Sequence, residues 1–113
     1  MTLKLSEKLY NAKIEWSKAS RLATCLEEMR KPVLASEVIS AKKSGEKTMS
    51  MCEYIAYNSK EYKDHIEAMC EAKEQANIKF AYYQRVVQEI EEEKQQNIST
   101  NIENKRLGEY KGD

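Results

Sequence analysis

Four side chains carry the chemistry most often recruited for metals or nucleophiles: His65 and the thiols Cys25, Cys52 and Cys70. A structural zinc site needs four such donors converging on one point. The sequence has no CxxC pair, and His65 and Cys70 are five positions apart. That spacing turns a helix by roughly 140°, so the two do not converge locally. The thiols read as buried or half-buried structural cysteines, and no metal or cofactor is expected. A Cys–His catalytic pair has no local motif behind it.

The stretch KKSGEK around Gly45 has the lysines of a phosphate-binding loop but not its backbone. Walker A needs two glycines at fixed spacing followed by Lys-Ser/Thr after a strand, so that several amides cradle the phosphates. One glycine between helices supplies no cradle. The sequence also lacks HExxH, a nucleophile elbow and a dinucleotide fingerprint, so no catalytic residue is named and enzymatic activity is not expected. Glu89, Glu91, Glu92 and Glu93 form an acidic run without a Glu-x-x-His partner, which reads as a solvated helix face. A second constellation is more suggestive. Tyr10, Tyr54, Tyr57 and Tyr62 flank the loop-and-helix region, interleaved with Lys42, Lys43, Lys47, Lys60 and Lys63. Aromatics among lysines can stack bases while the lysines neutralise phosphates. Tyrosine also serves half-wet protein interfaces, and that reading is preferred. Lys42, Lys43, Lys47, Tyr57 and Lys60 are the candidate patch for a protein partner or an anionic ligand.

Helices must position all of these groups. Leu5, Leu9, Ala12, Trp16, Ala19, Ala23 and Leu26 recur in steps of three and four, widened by Leu22 and Met29, opposite a charged face. Ser6 is the expected N-cap, and the helix is expected to end near Arg30, before Pro32. Pro32 then opens a short helix over VLASEVISAKK, the alternative being a kinked continuation. Gly45 is expected to end it with positive φ. Ser50 and Glu53 have capping-box spacing ahead of a second short helix, MCEYIAYN, and Asn58 and Ser59 offer a further cap.

From Lys60 nothing stops a helix for more than 35 residues. Tyr62, Ile66, Met69, Ala76, Phe80, Tyr83, Val87 and Ile90 form a heptad seam, with Lys73 at the skipped position. Tyr82 and Tyr83 lie about 100° apart, so at most one fits the seam squarely. Beyond Ile90 the seam fails, and Ile98 and Ile102 keep a weaker stripe. Tyr83, Val87, Ile90, Ile98 and Ile102 are the candidates for self-association. The tail over 108–113 is expected to fray.

The bulk composition agrees with this. The chain has 113 residues, 34% charged and 41% apolar, one proline and three glycines, which suits one small domain of long, solvent-washed helices. With one Phe and one Trp the core is thin, and a chain of this kind completes it by self-association, a dimer being favoured. Net charge is zero, but residues 1–47 hold ten Lys/Arg against six Asp/Glu and residues 48–113 hold nine against thirteen. That asymmetry suits helices of opposite charge pairing, and it lacks the dense basic stripe of a nucleic-acid binder. No apolar h-region opens the sequence and no run approaches a membrane span, so a cytoplasmic protein with reduced thiols, off the membrane, is expected.

The order of elements, with the S-x-x-E-x-x-A helix from Ser50, the Tyr62-Lys63-x-His65 entry and the long helix rich in Ala, Lys and Glu, resembles small helical proteins encoded by bacteriophages and prophages near replication and recombination genes. The resemblance covers about two-thirds of the chain and anchors no catalytic residue. It implies an accessory role in phage DNA metabolism, or in countering a host nuclease or defence complex, within the host cytoplasm. The expected architecture is all-α. Two long helices form an antiparallel hairpin over residues 1–107, closed at the connecting end by two short helices. The expected function is a non-enzymatic accessory protein that oligomerises and binds a protein partner, with inhibition of a host nuclease or direct single-stranded DNA binding as the alternatives.

Overall fold

The computed structural model describes residues 4–111. They form three α-helices and no strand: α1 over Leu5–Lys43, α2 over Met49–Tyr57 and α3 over Lys60–Lys111. Residues 112 and 113, the end of the stretch expected to fray, lie outside the described residues.

The expected pair of short helices reduces to one. Helix α1 runs unbroken for 39 residues with Pro32 inside it, instead of ending near Arg30. Proline in a helix interior removes one backbone hydrogen bond and crowds the preceding turn, at about 3 kcal/mol. Both flanks offset that cost. Leu26 packs towards α3 on one side of the proline, while Leu34, Val38 and Ala41 pack towards α2 on the other. Breaking the helix would release one of these contacts, whereas continuing it keeps both.

Capping follows the backbone more closely than the side-chain spacing suggested. Lys4 is extended and its carbonyl accepts from Lys8 N–H at 2.9 Å, so α1 starts one residue before Ser6 and has no side-chain cap. At the other end Gly45 adopts φ 107°. Its N–H bonds to Lys42 O at 3.1 Å, and Glu46 N–H bonds to Ala41 O at 3.4 Å. Those two bonds are the Schellman pair that satisfies the last carbonyls of a helix, with glycine at the position a side chain would strain. The cap of α2 is Thr48, whose Oγ1 accepts from Met51 N–H at 3.3 Å, so Ser50 of the expected capping box falls inside the helix. The α2–α3 junction is handled by two residues. Asn58 Nδ2 donates to Tyr54 O at 2.8 Å and closes α2. Ser59 Oγ donates to Ala56 O at 2.8 Å and accepts from Tyr62 N–H at 3.2 Å, which starts α3.

Contacts between α1 and α3 run in opposite numerical order. Lys8 meets Glu89 at 3.1 Å, Trp16 meets Phe80 and Tyr83 with ring centroids 4.7 and 5.4 Å apart, and Glu27 meets Lys73 at 3.3 Å. Near α2, His65 Nε2 bonds to the Leu26 carbonyl at 2.6 Å. Helix α2 lies against α1 through Cys52 and Ala56 and barely touches α3.

Helix α3 uses a neighbouring seam to the expected one. The buried positions are Met69, Ala72 and Val86, with Ala76, Lys79, Tyr83 and Ile90 half-buried between and beyond them, a 3-4-3-4-3-4 ladder. Phe80 and Val87, expected in the seam, sit at its exposed edge instead. Small Ala72 and slim Val86 let the backbones approach, while Phe80 is too large for the centre and covers Trp16 from the side. The resulting core is thin. Among the described residues, five of the eight buried apolar ones are alanines.

The shape is correspondingly long, 96 × 27 × 15 Å, with a radius of gyration of 26.3 Å. A compact chain of this length would have about 13 Å.

Candidate interaction surfaces

Three surfaces of this rod expose apolar groups without covering them. The first is the connecting end. Helix α2 presents only its two smallest inward residues, Cys52 and Ala56, to α1, and leaves Met49, Met51, Tyr54, Ile55 and Tyr57 exposed. Lys42 and Lys43 close α1 beside it, where two cations face the negative end of the helix dipole. Lys47 precedes the Thr48 cap, and Lys60 opens α3. Among the described residues none of these four lysines has a carboxylate within 4.0 Å. Lys42, Lys43 and Lys47 lie at the α1–α2 turn, whereas Tyr57 shares a depression with Lys31, Leu34 and Val38, further back along α1, and Lys60 follows it at the start of α3. Tyr57 is partly engaged already, its ring edge-on to Tyr62 at 5.4 Å.

The second surface is the far end of α3. Lys8 reaches Glu89, and α1 begins at Leu5, so α3 outruns its neighbour soon after Ile90. Every residue from 91 to 108 is exposed, including Ile98 and Ile102 at 51% and 56%. Of the five self-association candidates, these two lie on the free length. Tyr83 is held within the chain, stacked on Trp16 with Lys13 Nζ 5.9 Å from its ring centroid. Ile90 is half-buried and Val87 lies at the seam's edge. The acidic run sits where the free length begins, with Glu89 tied to Lys8 and Arg85, and Glu91 to Lys94.

The third surface escaped sequence reasoning. A trough runs along one side of the α1–α3 pair, floored by Ala12 and Ala72 and rimmed by Leu22, Ile78 and Tyr82. These three are 56%, 51% and 46% exposed. The signal was present as a second stripe on α3, at 68, 71, 75, 78 and 82, parallel to the seam. It is masked by the polar residues Glu71 and Gln75 within it.

Among the described residues no three of His, Cys, Asp and Glu gather to hold a metal ion. Cys25 and Cys70 are exposed and Cys52 is buried. No described helix is long and apolar enough to cross a membrane. No known protein family, characterised protein or solved structure matches the chain.

Proposed function

We propose that the chain is a non-enzymatic binding protein: an antiparallel helical hairpin that completes its apolar burial by forming a homodimer and offers its connecting end to a protein partner. One observation carries this reading. The chain exposes 9295 Å², whereas a folded monomer of 13.2 kDa exposes ~6,400 Å². The surplus, on the order of 2,900 Å², exceeds the roughly 800 Å² per partner of a standard protein interface. A core of alanines leaves few other sources of stability. Light scattering tests the dimer directly: twice the chain mass is expected, and 13.2 kDa persisting at millimolar concentration overturns it.

The resemblance to small phage-encoded helical proteins supports a partner drawn from phage DNA metabolism or from host defence, in the host cytoplasm. A second reading, direct single-stranded DNA binding, is favoured by exposed Tyr54 and Tyr57 on a helix flanked by Lys42, Lys43 and Lys47 on one side and Lys60 on the other, none paired with a carboxylate among the described residues. A mobility shift that falls steeply with salt supports it, and Lys42→Ala/Lys43→Ala should abolish that shift. No shift at low salt overturns it.

A further inference from the structure

The trough between α1 and α3 consists of two depressions in line, which share one stripe on each helix. On α1 the lining positions 8, 11, 15, 19, 22 and 26 advance by three and four, and on α3 positions 68, 71, 75, 78 and 82 do the same. Such steps stay on one side of a helix. The trough is therefore about 25 Å long at 1.5 Å per residue.

Building on the dimer proposed above, we infer that a second copy of this chain is seated in the trough, antiparallel to the first, about a two-fold axis at Ile78. The result is a four-helix dimer. Three observations lead there. The first is area. A standard interface buries roughly 800 Å² per partner, which the surplus surface can supply.

The second is self-complementarity. In a two-fold contact residue i meets j and j meets i. Trp16 beside Phe80 and Glu27 beside Lys73 set the levels along the rod, and by them Ile78 lies between the levels of Leu22 and Tyr82. Rotation about Ile78 sets it against Ile78 of the second copy, and Leu22 against Tyr82 of the second copy. The three exposed rim residues are thereby all consumed, over a floor of alanines that lets helices approach closely.

The third is charge, which selects the orientation. An antiparallel pair keeps the two Glu91, Glu92 and Glu93 runs apart and lays each at the level of a mixed-charge stretch of the other copy, Arg30, Lys31 and Lys63 with Asp64 and Glu67. A parallel pair would set the two acidic runs side by side, and the two lysine clusters likewise. Like charges so placed repel. The antiparallel pair also brings exposed Ile98 and Ile102 of each copy to the level of the other's exposed Ile39 and α2.

The test uses the full-length chain carrying Cys25→Ser and Cys70→Ser, with buried Cys52 kept. Mild oxidation of Ile78→Cys should give a dimer whose disulfide maps to position 78 on both chains. Mixing Leu22→Cys chains with Tyr82→Cys chains should give the mixed link in preference to either self-link. Ile78→Lys should lose the dimer mass in light scattering while circular dichroism keeps its helicity. Should that variant unfold, the cross-links decide alone. A wild-type dimer that forms neither link places the second copy elsewhere, which overturns this inference and leaves the dimer reading intact. Self-linked Leu22→Cys without the mixed product means a parallel pair and overturns the orientation. A wild-type monomer overturns both, including a monomer that takes up a foreign helix in the trough.

Discussion

Residues 62–90 and 91–108 belong to one unbroken helix, yet different forces hold them. The first stretch packs Met69, Ala72 and Val86 against α1, and Val86 is 0% exposed. The second has no neighbour among the described residues, and its helix is supported by local pairs: Glu91 with Lys94 at 3.5 Å, and Gln88 donating to Glu92 at 3.2 Å where the two stretches meet. Such pairs contribute about 0.2–0.5 kcal/mol each. Burying one valine contributes about 1.5–3 kcal/mol. A single buried side chain therefore outweighs all the named pairs of the free length, and the same backbone conformation carries very different stability along one element.

Identical insults to the two stretches should separate them most sharply. Val86→Asp puts a charge where no solvent reaches, and should cost at least ~3 kcal/mol or unfold the chain, read as loss of the cooperative thermal transition. Ile98→Asp, at dilution where the chain is monomeric, should move the same transition by less than ~0.5 kcal/mol. Equal effects would erase the distinction. Next in size is Trp16→Ala, which removes the ring that Phe80 and Tyr83 pack on. A loss of about 2–3 kcal/mol is expected in urea melts, at the low end because Trp16 is only half-buried. Gly45→Ala should cost about 1 kcal/mol from positive φ alone, because a Cβ there meets nothing within 4 Å. Smallest is Lys8→Ala, which breaks the Lys8–Glu89 ion pair at the boundary of the two stretches. Both side chains are about one-third exposed, so less than ~1 kcal/mol is expected. Hydrogen exchange sharpens the comparison without mutation. Amides of 66–90 should be protected at every concentration, while those of 91–108 should gain protection with concentration only on the proposed dimer.

Much of this was legible along the chain. The α1 face from Leu5 to Leu26 is where the sequence places it, and the Gly45 break is a backbone necessity that one residue type announces. Tyr83 rather than Tyr82 enters the seam, as only one of two adjacent tyrosines can. Other features were not legible because they depend on what lies opposite. Choosing Ala72 and Val86 over Lys73 and Val87 is a one-residue rotation that local spacing permits either way. Close approach of α1 decides it. Pro32 is a stop signal by local rules, and the packing on both sides of it overrides that signal. Among the candidate surface residues, the closeness of Lys42, Lys43 and Lys47 at the α1–α2 turn follows from chain proximity and was visible, whereas Tyr57 and Lys60 lie at the other end of α2. The trough rimmed by Leu22, Ile78 and Tyr82 was not, since it joins residues more than fifty positions apart.

The sequence by itself determined that the chain is helical, that α1 gives way to a turn at Gly45, and that its apolar side is too thin for an ordinary core. Those properties follow from local hydrogen bonding, backbone freedom at Gly45, and composition. Tertiary structure alone decided which stripe of α3 is buried, that α1 passes through Pro32, and that α3 outruns its neighbour. Each is a choice between local alternatives that differ little in energy until a second helix approaches and removes water from one of them.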